Sequence, residues 1–158
     1  MLHFAYGSNM DWNQIRERCP SARFLGVAVL LDHRLAFSRY SSSSTRKCGV
    51  ADAVEYEGNQ VWGVVYDIDE LDVGNLDKKE GFQPGRKSNS YQREQRHVFL
   101  DGHRNEPLAV AIYFATPEPG AHLPSQKYKD LILSGANYWH LPENYIRDIL
   151  EPIQVQEE

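Results

Sequence analysis

The sequence has little cysteine and none of the spacings that mark a scaffold held by disulfides or metal. Its 158 residues include two cysteines, Cys19 and Cys48, which form neither a CxxC pair nor a zinc-ligand pattern. A chain of this length can bury roughly 70% of the surface that it exposes when unfolded, so it needs no such support. We therefore expect a single domain over residues 1–158 that holds no metal and no cofactor.

Basic charge and long apolar runs are also scarce. Seventeen Lys and Arg residues against 22 Asp and Glu residues give a formal net charge of −5. That balance argues against a protein that neutralises the phosphates of DNA or RNA. No apolar run is long enough to span a bilayer, and residues 1–6 lack the basic and apolar regions of a signal peptide. The expectation is a cytoplasmic protein without nucleic-acid or membrane partners.

The hydrophobic pattern predicts an α+β fold with more strands than helices. Helices are expected after the caps Asp11 and Asp69, near Ser125, and from Pro142 in its first turn. Most strands are joined by short turns, which favours a small mixed, mostly antiparallel β-barrel or curved sheet with helices packed outside. The predicted strands are 2–6, 27–31, 34–39, 50–56, 60–68, 91–100 and 107–115, with a hairpin turn at 57–59.

A turn of small polar residues follows the first predicted strand. Gly7 would let a ligand approach the backbone, while Ser8 and Asn9 add side-chain donors. Successive amides in such a turn can bind an anion or an oxyanion. The same residues also suit a plain strand–turn–helix connection, which the spacing alone favours.

Glu80 is predicted to lie at the C-terminal end of its helix, just before Gly81. The helix dipole there disfavours a negative charge, so it raises the pKa of a carboxyl group. If it is also shielded from water, such a carboxyl group can act as a general base and acid near neutral pH. From the sequence alone, most glutamates beside residues such as Lys78 and Lys79 are solvated on the surface.

Three tyrosines, Tyr6, Tyr91 and Tyr128, stand where a loop meets a helix or a strand. Each could line a small polar pocket and donate one hydrogen bond. Tyr128 suits a core position equally well. The basic residues between 86 and 96 are interpreted as a solvated cluster.

Four segments carry a resemblance that runs almost from end to end of the chain. They are Phe-Ala-Tyr-Gly-Ser-Asn at 4–9, Val-Trp-Gly-Val-Val-Tyr at 61–66, Leu-Asp-Lys-Lys-Glu-Gly at 76–81, and the set 124–128, 135–136 and 141–142. In this order they resemble the γ-glutamylcyclotransferase family. The resemblance implies the fold of that family, and it matches the last set to a tail that shorter relatives of the γ-glutamylamine type lack.

The resemblance implies an enzyme that needs no cofactor and no metal. A γ-glutamyl amide cyclises when its own α-amine attacks the γ-carbonyl group, which gives 5-oxoproline and releases an amino acid. Glu80 matches the family's catalytic residue, which takes a proton from the substrate ammonium and returns it to the departing nitrogen. The same resemblance points to glutathione metabolism, a small-molecule γ-glutamyl substrate and, as one possible assembly, a homodimer.

The resemblance also implies a set of substrate-binding residues. The residues that match the family's substrate site are His3, Phe4 and Ala5 through their backbone, Tyr6, Gly7, Ser8, Asn9 and Tyr128. The segment 82–90 is a departure, because it delays to Tyr91 a tyrosine that the family has soon after Glu-Gly. We interpret it as a longer loop that borders the pocket and could change which leaving amino acid is accepted. The serine-rich segment 41–45 is a predicted mobile loop that could cover the site or do nothing.

Two other functions remain open from the sequence. One is a cyclotransferase that acts on a γ-glutamylamine or another γ-glutamyl metabolite. The other is a non-catalytic small-molecule binding module on the same fold, although a pure binder has no need of Glu80 beside an anion site. A hydrolase with Ser8 as nucleophile is disfavoured, since the chain supplies neither a triad nor a GxSxG turn.

Overall fold

Five strands form the centre of the computed structural model, which describes residues 1–157. They are Leu2–Ala5 (β1), Arg23–Ser41 (β2), Cys48–Asp67 (β3), Tyr91–Leu100 (β4) and Pro107–Ala115 (β5). The strands close into a barrel in the order β1-β3-β2-β4-β5. Neighbours pair antiparallel except β1 and β5, which meet in parallel at His3 and Ala111. The predicted mixed, mostly antiparallel barrel is confirmed.

Two long strands replace the four shorter ones predicted between residues 27 and 68. β2 and β3 pair with each other along most of their length, so the predicted hairpin turn at 57–59 and the strand break at 32–33 are wrong. Asp32 and Gly58 do have positive φ angles, and the Gly58 amide donates to Asp32 Oδ1 at 3.0 Å. The strand register shifts at this point. A bulge bends a strand without ending it, which explains why turn residues lie inside these strands.

Helices cover the outside of the barrel. They are Trp12–Arg18 (α1), Glu70–Lys79 (α2), Gln126–Tyr138 (α3) and Glu143–Tyr145 (α4), the last continued by a π-helical turn, Ile146–Leu150. The predicted cap holds for Asp11, which accepts from the Gln14 amide at 2.9 Å. Helix α3 begins where predicted, and the Ser125 side chain caps it. Asp69 occupies the N-cap position of α2, but within residues 1–157 its side chain caps no helix amide. Pro142 precedes α4 instead of lying in its first turn.

The helix α3 packs directly on the turn that follows β1. A Cβ atom on Gly135 would lie 2.3 Å from the carbonyl carbon of Met10. That close approach explains why glycine, which weakens a helix interior, stands in this helix. Met10 and Ile132 are fully buried at the contact, as is Tyr66 beneath the turn. The C-terminal part of the chain therefore helps to fix the turn that the sequence singles out.

Candidate functional site

A cavity of about 520 Å³ opens where the end of β1, the end of α2 and the segment between β2 and β3 meet. All ten site residues named from the sequence line it: His3, Phe4, Ala5, Tyr6, Gly7, Ser8, Asn9, Glu80, Tyr91 and Tyr128. The structure thus brings together residues that are up to 125 positions apart in the chain. Their roles stay predictions.

The turn after β1 presents unpaired amides on the cavity wall. It forms a short 3₁₀ turn, in which the Met10 amide donates to Gly7 O at 3.1 Å and the Asp11 amide to Ser8 O at 3.0 Å. Within residues 1–157, the amides of Gly7, Ser8 and Asn9 donate to no acceptor. Backbone amides arranged in this way can receive an anion or an oxyanion.

Glu80 ends α2, as predicted, and faces this turn. Its amide donates to Leu76 O at 2.9 Å, and Gly81 follows it with φ at +66°. Glycine adopts that left-handed conformation without strain and so ends the helix immediately after Glu80. The carboxylate Oε1 accepts a hydrogen bond from Asn9 Nδ2 at 2.8 Å, and the side chain is 17% exposed. The helix end and the turn are thereby joined through the carboxylate itself.

A polar network from α1 fixes Asn9. Its Oδ1 atom accepts from Arg18 Nη1 at 2.9 Å and from Gln14 Nε2 at 3.0 Å. Gln14 Nε2 also donates to Ser8 Oγ at 2.9 Å. Arg18 Nη1 lies 3.9 Å from Glu80 Oε1, which makes a partly shielded ion pair. Because both Asn9 acceptor contacts are fixed, its amide nitrogen is directed at Glu80.

Burial raises the pKa of the Glu80 carboxyl group above its ordinary value. Arg18, the Asn9 hydrogen bond and Arg46 act in the opposite direction, since each favours the charged form. The direction agrees with the prediction, and loss of water contact is the largest cause. A carboxyl group with a raised pKa and a fixed hydrogen-bond donor is suited to exchange protons near neutral pH.

Tyr91 and Tyr128 meet on the backbone of a single residue. The hydroxyl group of Tyr91 donates to Ala51 O at 2.6 Å, while the Ala51 amide donates to the hydroxyl oxygen of Tyr128 at 3.0 Å. Burial raises the pKa of both hydroxyl groups, so both stay protonated at neutral pH. The Tyr128 hydroxyl lies close to Gly7, and a Cβ atom there would be 3.6 Å from it.

His3 lies on the cavity side of β1 as a neutral ring. It is 2% exposed, and burial lowers its pKa to about 4. Its Nδ1 atom lies 3.3 Å from Ala111 O, so that nitrogen carries the proton. The Nε2 atom has no hydrogen-bond partner within the described part of the chain.

The two loops that depart from the family pattern differ in their relation to the cavity. Most of the serine-rich segment lines it, including Ser43 and Thr45 together with the neighbouring Arg46. By contrast, the longer segment 82–90 reaches the cavity only through Ser90. Asn89 holds that loop on itself, since its Oδ1 atom accepts from the Gln83 amide at 2.9 Å. The prediction that this loop borders the pocket holds only at its end.

The predicted solvated cluster at 86–96 is wrong for Arg93. This residue lies 2.7 Å from Asp77 Oδ2, and Asp77 also accepts a hydrogen bond from the Tyr113 hydroxyl group. Asp77 is buried on α2, one turn before Glu80. The pair therefore ties the end of α2 to β4 and β5, and it fixes where Glu80 stands.

Sequence reasoning missed the polar residues that surround Glu80. Gln14, Arg18, Arg46 and Tyr113 come from α1, the segment after β2, and β5. The spacing of Gln14 and Arg18 places both on one face of a helix, which was an available signal. The other two have no local pattern, because only the closed barrel brings them to the site.

The described residues contain neither a membrane-spanning helix nor a cluster of metal ligands. Within 1–157, no helix is long and apolar enough to cross a membrane. The same range holds no group of three or more His, Cys, Asp or Glu side chains arranged to hold a metal ion.

Proteins with a similar sequence and a similar closed barrel show the class to which this chain belongs. The model of the AIG2-like family matches residues 60–149. A human protein named gamma-glutamylcyclotransferase is 35% identical over 146 residues, which cover 91% of this chain and 74% of that protein. A bovine protein of the same name is 34% identical over 155 residues, which cover 96% of this chain and 79% of that protein.

A solved structure of a protein named gamma-glutamyl cyclotransferase matches the whole fold. It aligns with a TM-score of 0.88 at 31% identity and covers 100% of this chain and 90% of that one. The chain belongs to the AIG2-like family and, within it, to the γ-glutamylcyclotransferases. The resemblance predicted from the four sequence segments is confirmed. The names of the relatives support the prediction that the protein is an enzyme of this class.

Proposed function

We propose that the protein cyclises γ-glutamyl amino acids to 5-oxoproline and a free amino acid, with Glu80 as general base and then acid. One observation carries the proposal. A shielded carboxylate with a raised pKa lies in hydrogen-bond contact with Asn9, on a turn whose amides are unpaired among residues 1–157. The proposed base and the proposed anion site line the same cavity.

Glu80 would act at both ends of the reaction. The substrate α-amine begins as an ammonium group and must lose a proton before it can attack the γ-carbonyl carbon. Glu80 would accept that proton, and the free amine would then attack to form the new carbon–nitrogen bond of the ring. As the old amide bond breaks, Glu80 would give its proton to the departing nitrogen and take the second proton from the ring nitrogen, which becomes the lactam amide. This second proton ends on the released amine as its ammonium group. Since the nucleophile belongs to the substrate, the protein's main task is to fold it into the reactive geometry.

The turn would hold the negative oxygens of the substrate. The amides of Gly7, Ser8 and Asn9 are available to the α-carboxylate of the γ-glutamyl unit or to the oxyanion that develops on the γ-carbonyl group. A fixed donor at an oxyanion typically contributes about 3–4 kcal/mol to the transition state. Tyr128, beside Gly7, adds a hydroxyl group to the same wall.

The charge of the cavity favours γ-glutamyl amino acids over γ-glutamylamines. Among the described residues that line the cavity, five are cationic and one is a carboxylate, although the whole chain is acidic: Arg18, Arg39, Arg46, Lys78, Lys79 and Glu80. A γ-glutamyl amino acid carries one more carboxylate than a γ-glutamylamine does. The cationic lining therefore supports the former as substrate, and the γ-glutamylamine reaction is the alternative.

The substitution Glu80→Gln tests this proposal. Glutamine can still accept the hydrogen bond from Asn9 through its Oε1 atom but cannot take a proton. We expect kcat for γ-glutamyl-alanine to fall by about 10²- to 10⁴-fold, while substrate binding is kept. The control is Glu70→Gln, which removes a carboxylate that is 85% exposed at the other end of the same helix.

The measurement is release of 5-oxoproline from γ-glutamyl-alanine and from a panel of γ-glutamylamines. A fully active Glu80→Gln variant would remove Glu80 from the mechanism. Faster turnover of the amines would favour the alternative substrate class. Binding without release from any compound would leave a non-catalytic binding module.

A further inference from the structure

Arg46 is a cation on the cavity wall to which the proposed proton transfer gives no direct contact with the substrate. It lies in the segment between β2 and β3, and its guanidinium group stacks 5.2 Å from the centre of the Tyr128 ring. Its Nη2 atom donates to Gln14 Oε1 at 2.7 Å. Gln14 in turn bonds to Ser8 and Asn9. The guanidinium group is therefore oriented by the same network that fixes the substrate turn.

No carboxylate of the described residues forms an ion pair with Arg46, although its charge acts on Glu80 from a greater distance. Arg18 lies against Glu80 and Arg93 against Asp77, but no Asp or Glu of residues 1–157 lies within ion-pair distance of Arg46. Among these residues Gln14 is the one acceptor of the guanidinium group, so most of the guanidinium donors stay available. A planar guanidinium group that is already stacked can bind a carboxylate through two parallel hydrogen bonds at little entropic cost.

Arg46 lies in the cavity lining beside solvent-exposed residues of the segment between β2 and β3. The hydroxyl end of Tyr128 meets Ala51 beside Gly7, whereas Arg46 covers the face of the ring. The neighbours of Arg46 in the cavity lining, Ser43 and Thr45, are exposed to solvent. A leaving group that departs toward solvent would pass this side of the cavity. Arg46 is thus placed to meet the leaving group and not the γ-glutamyl unit.

We propose that Arg46 binds the carboxylate of the departing amino acid and thereby selects γ-glutamyl amino acids over γ-glutamyl compounds whose leaving amine has no carboxylate. This inference rests on the proposed function, because it names the substrate group that the same site distinguishes. In this proposal, the serine-rich segment positions the specificity residue that follows it at the edge of the cavity.

The test compares two variants on two matched substrates. Arg46→Gln removes the cation, and Lys47→Gln removes an equal charge from the next residue, whose exposed side chain is outside the cavity lining. The substrates are γ-glutamyl-alanine and γ-glutamyl-alaninamide, in which the leaving group lacks the carboxylate. The measurement is kcat/KM for release of 5-oxoproline, with thermal unfolding to check that each variant is folded.

We expect the Arg46→Gln variant to lose about 10- to 100-fold in kcat/KM on γ-glutamyl-alanine, the range typical of a hydrogen bond to a charged group. Its activity on the alaninamide should fall by less, so that the ratio of the two kcat/KM values drops about 10-fold or more, and Lys47→Gln should alter neither value. Equal losses on both substrates would assign Arg46 to the γ-glutamyl unit and overturn the proposal. Unchanged activity on γ-glutamyl-alanine would overturn it too.

A binding arm separates this inference from the proposed function. Glutaryl-alanine and glutaryl-alaninamide lack the α-amine and so cannot cyclise, and calorimetry gives their Kd values without turnover. Tighter binding of glutaryl-alanine that disappears in Arg46→Gln supports the carboxylate contact, even if the wild-type protein releases no 5-oxoproline. Equal wild-type affinity for the two compounds overturns it. Failure of release alone would overturn only the cyclotransferase reaction.

Discussion

The contact between α3 and the turn makes Gly135→Ala an informative perturbation. The added Cβ atom would lie 2.3 Å from the Met10 carbonyl carbon and 2.4 Å from its Cβ and oxygen atoms. Ordinary contacts of such an atom begin at 3.4 Å. The helix and the turn must therefore separate by about 1 Å, and the obstacle is backbone that no rotamer change can move aside.

The expected cost combines two opposed effects. Overpacking of a well-packed region costs typically 1–3 kcal/mol, and the rigid contact places this case at the upper end. Alanine stabilises the helix by about 1 kcal/mol relative to glycine, which offsets part of this cost. The net loss is about 1–2 kcal/mol, which lowers Tm by about 2–8 °C in a chain of this size. The turn carries Asn9, so a shift of about 1 Å can also reduce cyclisation by up to about 100-fold.

Gly74→Ala is the matched control for this prediction. Gly74 lies inside α2, and an added Cβ atom there meets no other atom within 4 Å. We expect it to raise stability by up to about 1 kcal/mol and to leave activity unchanged. Thermal unfolding and 5-oxoproline release measure both variants. If Gly135→Ala were as stable and as active as Gly74→Ala, the turn would not depend on this contact.

Two further predictions concern pH. Arg18 lowers the pKa of Glu80, so in the Arg18→Met variant the acid limb of the kcat/KM profile should move to higher pH; an unchanged limb would contradict the role of Glu80 as base. His3 has its pKa lowered from 6.5 to about 4, so its contribution to stability is complete above pH 6.5 and is lost as the pH falls toward 4. Between pH 6.5 and pH 4, the free energy of unfolding of the wild type, measured in urea, should fall by about 3 kcal/mol more than that of the His3→Asn variant. Equal falls in the two proteins would refute the role of His3.

The parts of the site that the sequence predicts are those with a local cause. A glycine after Glu80 ends a helix wherever that helix packs, and Gly7, Ser8 and Asn9 form a turn through their own backbone preferences. These features need no knowledge of the rest of the fold. The lining residues that follow from the family resemblance are equally local, since all except His3 and Tyr91 lie within the quoted motifs.

The parts that the sequence does not predict depend on distant pairing. Residues 57–59 have the composition of a hairpin turn, yet β3 continues through them because β2 bends at the same level. A bulge and a turn use the same residue types, and only the partner strand decides between them. Arg93 looks solvated for a similar reason, as its partner Asp77 precedes it by 16 positions.

The turn is held in a way that leaves its amides available. Each of its carbonyl oxygens has a donor: Gly7 O accepts from the Met10 amide, Ser8 O from the Asp11 amide, Asn9 O from the Tyr66 hydroxyl group, and Met10 O from Trp139 Nε1. If the amides themselves fixed the turn, they would be occupied before a substrate arrived. Because the carbonyl groups hold the turn, the amides of residues 7–9 are both rigid and unpaired. Rigid, unpaired dipoles can stabilise a developing negative charge without having to reorganise. Trp139 immediately follows α3, so the C-terminal tail belongs to the site as much as the turn does.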